Sequence, residues 1–244
     1  MLSYIKSENL KFKRTFSRKF IFLAPLIMSC FAYLISFSMP DSQKLYNAMA
    51  YNWWALIFIS FGPTLLCIFS ILKDNKTYEF LISRGISKEK FWFCKIIILS
   101  YYLFIANLLM FIFTNIINYL LFGSSHNILA QLSASAILFL VSICLVPINL
   151  IVQYKTSTII TVIFNFIGLI LGIKLSVTSF WGFAPWGYAL RLLCPIMGVQ
   201  PNGLFLEESS FLWDGNVILP GIILCLSLFV IFTCIIVSLS KLKN

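Results

Sequence analysis

The chain has 244 residues, of which 60% are hydrophobic and only 11% are charged, and its mean hydropathy is +0.96. Soluble domains are nearer half apolar and a quarter charged, so this composition excludes an ordinary soluble fold. The net charge of +10 comes from Lys and Arg in short segments between apolar runs. That distribution is typical of a membrane-orientation signal. It explains the basic charge better than a nucleic-acid-binding surface does.

The first 19 residues predict an amphipathic helix lying in the headgroup layer of a membrane. Ile5, Phe12, Phe16 and Phe20 follow one another at spacings of seven, four and four residues, so they share one helical face, and the basic residues take the other face. We expect this interfacial helix, residues 1–19, to lead into the first membrane span from the side.

Six apolar runs are each long enough to cross a bilayer, which needs about 20 residues of helix. Between the fourth and fifth runs the only strongly polar break is Tyr154-Lys155, so one long element kinked at Pro147 is the alternative. A helix of about fifty residues is too long for any tilt, so the sequence predicts two spans there. The predicted spans are 20–39, 53–72, 96–122, 128–153, 156–177 and 217–239.

The distribution of basic residues predicts the orientation. Fifteen of the 18 Lys and Arg residues fall on one side of the predicted membrane, and only Lys44, Lys174 and Arg191 fall on the other. Cytoplasmic loops retain positive charge, so we expect both termini in the cytoplasm.

The inner segment 73–95 is the largest basic loop between spans. Gly85 can end the preceding helix and Ser87 can cap the next, which predicts a short amphipathic helix at the cytoplasmic surface. Such a helix could dock into a groove on a soluble partner, and the alternative is a simple positive-inside anchor. Its residues are Gly85, Ile86, Ser87, Lys88, Glu89, Lys90, Phe91 and Trp92.

The third, fourth and fifth spans each carry small and polar residues along one helical face. The fifth adds a G-x-x-x-G pair, Gly168 and Gly172. These stripes can pack helices together, because small residues let backbones approach and amides bond between spans. The alternative is a weakly polar path for an amphipathic substrate, for which the candidate residues are Asn107, Asn118, Gln131, Asn149 and Asn165.

The outer segment 178–216 is rich in Trp, Phe, Gly and Pro instead of hydrophilic residues. It is therefore predicted to fold back onto or into the outer leaflet, as a re-entrant or hairpin segment. A cationic, amphipathic peptide could meet aromatic rings there while acidic groups attract its charge. The candidate contacts are Trp181, Trp186, Glu207, Glu208, Trp213 and Asp214, although the acids could equally form a solvated loop face.

Several chemistries lack their usual residues. The sequence has no G-x-x-x-x-G-K-[ST] loop for ATP, no H-E-x-x-H and no G-x-S-x-G, so it predicts no catalytic residue, no metal site and no bound cofactor. No charged residue lies in the middle of a predicted span, where an ion-coupled carrier would need one. The energy for any transport must therefore come from another subunit, and the chain itself is not expected to be an enzyme.

Three stretches carry a family resemblance over nearly the whole chain. They are Asn52-Trp53-Trp54 followed by Gly62-Pro63, then residues 86–92 with Lys95, and the outer stretch Pro185-Trp186, Arg191, Cys194-Pro195, Gly198 and Pro201-Asn202-Gly203. In these residues the chain resembles ABC-type-2 transport permeases. More narrowly, it is similar to the permease subunits of lantibiotic-immunity ABC transporters, by which bacteria that make lantibiotic peptides protect themselves.

The resemblance implies an all-α, six-span permease in the bacterial plasma membrane, with residues 1–244 as one transmembrane domain. It implies a second, homologous permease and two copies of a cytoplasmic ATPase, which would use ATP and Mg to expel lantibiotic from the membrane. Residues 85–92 would be the coupling helix, 1–19 the connecting helix, and 181–203 the family's outer helical hairpin. The other expected contact is membrane lipid, and no nucleic acid is expected. The alternatives are an exporter of another lipid, antibiotic or peptide, and a membrane peptide sensor that transports nothing.

Overall fold

The computed structural model describes residues 2–13, 15–37, 41–74, 87–123 and 127–241. These residues form helices and turns, with no strand beyond one isolated bridge between Val199 and Phe205. The α-helices are α1 (Leu2–Phe12), α2 (Phe16–Ser36), α3 (Ser42–Trp53), α4 (Ile59–Asp74), α5 (Lys88–Phe122), α6 (Ile128–Lys155), α7 (Thr158–Ser176), α8 (Tyr188–Met197) and α9 (Ile218–Lys241).

Six helical stretches of the described residues are long and apolar enough to cross a membrane, which confirms the predicted all-α, six-span architecture. They are Phe16–Ser36, Ser42–Asp74, Lys88–Phe122, Ile128–Lys155, Thr158–Ser176 and Gly215–Leu239. The second and third are longer than predicted, because their polar ends continue the helix. At 1.5 Å per residue the 35 residues of α5 reach about 50 Å, so its ends project beyond a hydrocarbon layer of about 30 Å.

The boundary between the fourth and fifth spans confirms two helices there. α6 continues through Pro147 and ends at Lys155. The next helix begins at Thr158 because the side chain of Ser157 accepts a hydrogen bond from the backbone of Ile160, at 3.4 Å. A hydroxyl at this position satisfies one of the backbone donors that every helix start leaves unpaired.

The core is built around α6, which packs against α4, α5, α7, α8 and α9. Its Leu138, Val141 and Leu145 are fully buried. α9 lies at the periphery, and only 11% of the residues in its most apolar stretch are buried. Most of the surface of α9 is therefore left for lipid.

A π-helical turn, Trp54–Phe58, joins α3 to α4 within the second span. The rings of Trp54 and Phe58 stack with their centroids 3.8 Å apart. Gly62 lies directly against the Phe58 ring, since a Cβ added at Gly62 would be 3.0 Å from it. Single π-turns inside α-helices are frequent at functional positions, and this one turns the Trp54 indole toward α5.

The predicted interfacial segment 1–19 is divided between two helices. α1 ends at Phe12, and α2 begins at Phe16. Phe12 is buried against Tyr102 of α5, with ring centroids 4.8 Å apart, whereas Phe16 is 62% exposed. The four apolar residues at regular spacing therefore do not form one continuous face, because the chain bends between the second and the third of them.

Candidate functional site

The polar stripes meet one another inside the bundle. All five candidate path residues are buried, and each bonds to a side chain on another helix or on the segment after α7. Bonds of this kind contribute about 0.6 to 2 kcal/mol each between membrane helices. The residues are Asn107, Asn118, Gln131, Asn149 and Asn165.

The first set of bonds joins the second span to α5. Asn47 and Asn118 exchange two amide hydrogen bonds, of 3.3 Å and 2.7 Å. The Trp54 indole donates to Asn107 Oδ1 at 3.0 Å, and the Tyr51 hydroxyl lies 3.1 Å from the Ser135 hydroxyl of α6. These bonds fix the rotation of the second span against the centre of the bundle.

The second set forms a chain across the bundle. Thr64 of α4 donates to Asn149 Oδ1 of α6 at 3.3 Å, and Asn165 of α7 donates to the same oxygen at 2.5 Å. Asn165 in turn accepts from the Trp186 indole at 2.9 Å. Near the start of α6, five turns before Asn149, Asn115 donates to Gln131 Oε1 at 3.0 Å. This geometry favours helix packing over a substrate path for these five residues, so the path remains a prediction.

Residues 178–216, named here the return segment, fold back against the bundle. Trp186 packs on Gly168 of α7, where a Cβ would lie 2.4 Å from the indole ring. One turn later a Cβ at Gly172 would lie 2.6 Å from the backbone nitrogen of Gly187. The glycine pair that the sequence analysis assigned to helix packing therefore receives the return segment. Trp186 was predicted as an outer peptide contact, whereas the structure turns it inward to Asn165.

α8, the helix of the return segment, is buried over Tyr188–Cys194. Arg191 is 3% exposed, and its guanidinium donates to the carbonyl of Leu212 at 3.0 Å. It also stacks over the Phe211 ring at 5.7 Å. Arg191 thus holds the second half of the return segment onto its helix. Burial raises the pKa of the neighbouring Cys194 thiol to about 11, an effect that the charge of Arg191 opposes.

A cavity of ≈ 260 Å³, named here the mouth cavity, lies between the start of α3, the start of α6 and the return segment. It is at the end of the bundle where α5 turns into α6. Among its described lining residues are one cation, two buried amides and three large apolar groups: Lys44, Asn47, Gln131, Met197, Phe205 and Trp213. The Lys44 ammonium lies over the Phe205 ring, 5.0 Å from its centroid.

The predicted peptide contacts are not all brought together at this cavity. Trp213 lines it and donates its indole N–H to the carbonyl of Glu207 at 2.9 Å. Glu207, Glu208 and Asp214 are exposed, beside cavity-lining residues in the chain. Trp181 packs against Tyr188, with ring centroids 5.8 Å apart, and does not line the cavity.

Four charged residues meet at the opposite end of the bundle, and this base cluster consists of Glu8, Lys11, Asp74 and Lys95. The Lys95 ammonium is 1% exposed and bonds to Asp74, to Glu8 at 3.3 Å and to the Ser70 hydroxyl at 2.7 Å. Lys11 bonds to Glu8 and Asp74 at 2.5 Å each. The cluster pairs two cations with two anions, so it is neutral overall and joins α1 to the adjoining ends of α4 and α5.

The charges of the cluster reinforce one another. Burial by itself lowers the pKa of Lys11, but attraction by Glu8 and Asp74 outweighs it, so the pKa rises above its ordinary value. Sequence analysis missed Glu8 and Asp74 entirely. A signal was available, because both are acids among the basic residues that flank spans. Acids contribute little to membrane orientation, so their presence there indicates ion pairing.

The described members of the predicted coupling segment, residues 87–92, lie beside this cluster. Gly85 and Ile86 are outside the described residues. The Ser87 hydroxyl accepts from the backbone of Lys90 at 3.4 Å, so Ser87 caps a helix as predicted, but that helix is α5 itself and runs on into the span. Lys88, Glu89 and Lys90 form its first turn, followed by the buried Phe91 and Trp92. The Phe91 ring carries the Lys95 and Lys11 ammonium groups at 4.9 Å and 5.4 Å.

Within the described residues, no group of three or more His, Cys, Asp or Glu side chains is placed to hold a metal ion. The described residues therefore provide three features: interhelical packing, the charge pairs of the base cluster and the mouth cavity. A family model described as ABC-2 family transporter protein matches residues 4–172. No curated protein and no solved structure matches the chain.

Proposed function

The chain belongs to the ABC-2 family transporter proteins, the membrane components of ABC transporters, and we propose that it is a permease subunit that expels a lantibiotic from the bacterial plasma membrane. The family implies association with an ABC ATPase. The complex we propose contains two ATPase copies and a second, homologous permease. Both termini of this chain lie on the cytoplasmic side in this proposal.

The base cluster supports the coupling half of the proposal. Asp74 ends α4 immediately before residues 75–86, and Lys95 lies in the second turn of α5 after them. Because the cluster and Phe91 hold α1, α4 and α5 together, a push on the intervening segment moves all three helices at once. This connection supports the proposal that residues 85–92 receive the motion of an ATPase that closes on ATP.

The mouth cavity supports the substrate half and is the observation that carries the proposal. It lies at the end opposite the base cluster, which is the extracellular end in the proposed orientation. Its apolar wall of Met197, Phe205 and Trp213 adjoins the exposed carboxylates of Glu207 and Asp214. A cationic, amphipathic peptide combines the two chemistries that this surface offers.

The test is protection of a susceptible bacterium. Cells that express the complete complex are challenged with a panel of lantibiotics and unrelated antibiotics, and ATP-dependent release of labelled peptide from the cells is measured. We expect survival to rise for lantibiotics and release to stop when the ATPase cannot hydrolyse ATP. Protection that persists without a working ATPase would contradict the proposal, and so would equal protection against unrelated drugs.

A charge comparison links the activity to the return segment. The triple variant Glu207→Gln, Glu208→Gln, Asp214→Asn should weaken protection against cationic lantibiotics several-fold, because exposed charges act mainly on association. Asp41→Asn is the matched control, since Asp41 is an exposed acid at the same end of the bundle. Its left-handed backbone, with φ 53°, accepts Asn readily. Equal loss in both variants would show that the effect is not local to the return segment.

A further inference from the structure

Among its described lining residues, the mouth cavity has one cation, Lys44, and no acidic group. We propose that the mouth cavity binds the C-terminal carboxylate of the exported peptide, with Lys44 as its counter-charge. This inference rests on the proposed function and adds a specific binding site to it.

The charge distribution at the cavity is one-sided. Lys44 is the only charged residue among the described residues that line it, and none of them is acidic. The two ion-paired lysines of the base cluster lie at the far end of the bundle. The Lys44 ammonium forms no ion pair with a described residue and lies over an aromatic face, so it keeps its capacity to bind an anion.

Two further features make the local potential positive. The start of α6 lines the cavity with Ala130 and Gln131, and the positive end of a helix dipole favours negative charge there. Behind the opposite wall, the buried Arg191 guanidinium bonds to the carbonyl of Leu212, next to the lining Trp213. No described acid forms an ion pair with Arg191. A buried cation without an anionic partner stabilises an anion bound nearby.

The shape and polarity of the cavity select the end of a peptide. Drug-sized ligands occupy cavities of about 300 to 1,000 Å³, so ≈ 260 Å³ suits one end of a longer molecule. The amides of Asn47 and Gln131 already bond to Asn118 and Asn115, so the cavity offers Met197 and Trp213 to an apolar terminal side chain. Outside the cavity, Glu207 and Asp214 can meet the cationic remainder of the same peptide. A carboxylate inside and a cationic chain outside therefore satisfy both signs of charge.

The experiment compares a lantibiotic that has a free C-terminal carboxylate with the same peptide carrying a C-terminal amide. Binding is measured on the complete complex in nanodiscs, by fluorescence of the labelled peptide. In the wild-type protein we expect the acid to bind about three- to fivefold more tightly than the amide, as one pair of charges near a surface provides. In Lys44→Gln the acid should bind as weakly as the amide, so that the preference disappears.

Lys174→Gln is the matched control, because Lys174 is an exposed lysine at the same end of the bundle and does not line the cavity. It should keep the wild-type preference for the acid. The inference is overturned if wild-type protein binds acid and amide equally, or if Lys44→Gln keeps the preference. It is also overturned if the effect of Lys44→Gln depends on replacing phosphatidylglycerol by phosphatidylcholine and not on the peptide terminus, since the cavity would then hold an anionic lipid headgroup.

The two proposals fail in different ways. ATP-dependent release of peptide with no preference for the acid removes the carboxylate site and leaves the exporter. A preference for the acid that Lys44→Gln abolishes, without ATP-dependent release, leaves the site and removes the exporter. Absence of any peptide binding removes both.

Discussion

Replacement of Lys95 by Met should be the most damaging single change at the cytoplasmic end of the protein. Its ammonium group is 1% exposed and binds Asp74, Glu8 and Ser70. Without it two carboxylates share the single positive charge of Lys11. Removal of one partner from a buried ion pair costs about 3 to 5 kcal/mol, because the remaining charge stays buried without compensation.

The assay is reversible unfolding in mixed micelles, with the free energy of unfolding obtained from a denaturing-detergent titration. Lys13→Met is the matched control, because Lys13 follows α1 directly and its side chain is exposed. An exposed substitution of this kind should change the free energy of unfolding by no more than about 0.5 kcal/mol. The double variant Lys95→Met, Asp74→Asn restores a neutral cluster and should recover part of the lost stability.

Two results would refute this reasoning. If Lys95→Met and Lys13→Met had equal free energies of unfolding, the cluster would contribute nothing to the fold. If the double variant were less stable than Lys95→Met alone by the full cost of a second mutation, charge imbalance would not be the cause of the loss. A loss of ATP-dependent release in Lys95→Met, together with recovery in the double variant, would additionally tie the cluster to coupling.

Three other outcomes are expected. Gly172→Ala should destabilise the protein by about 1 to 3 kcal/mol, because its Cβ would meet backbone 2.6 Å away, whereas Gly215→Ala, with no heavy atom within 4 Å, should be neutral in the same titration. A cysteine placed at Ser87 should react with a membrane-impermeant maleimide only in inverted vesicles and one at Glu208 only in intact cells, and the reverse pattern would invert the proposed topology. Burial raises the pKa of Cys194 to about 11, so at pH 8 it should have roughly a hundredfold less thiolate than an ordinary thiol. It should therefore resist alkylation in the folded protein, as measured by mass spectrometry. Labelling of Cys194 as fast as that of the cysteine introduced at Glu208 would contradict this.

The sequence is sufficient for the spans because the length of an apolar run is a local property. Each run of about 20 residues has one stable solution in a bilayer, and the break at Lys155 was predicted correctly because one helix through it would be too long for any tilt. The bend after Phe12 was missed, since spacing alone cannot tell one helix from two that meet at a turn.

The candidate site depends on contacts between distant residues, which local spacing does not contain. Glu8 and Lys95 are 87 positions apart, and the local sequence around either residue does not predict their contact. Trp186 was predicted as a peptide contact because the outer segment is rich in aromatic residues. Its partner Asn165 was identified as part of a stripe, together with the two glycines that leave room for the ring, but the sequence did not show which surface would fill that room.

The inward position of Trp186 bears on how the protein is assembled during synthesis. α7 leaves the ribosome before the return segment does, so the glycines and Asn165 can enter the bilayer before Trp186 reaches them. During that interval Asn149 of α6 is the amide at hand to satisfy Asn165, because the two bond directly at 2.5 Å. Because α6 precedes α7 in the chain, Asn149 can satisfy the Asn165 amide in lipid first, and the Trp186 indole bonds to Asn165 afterwards.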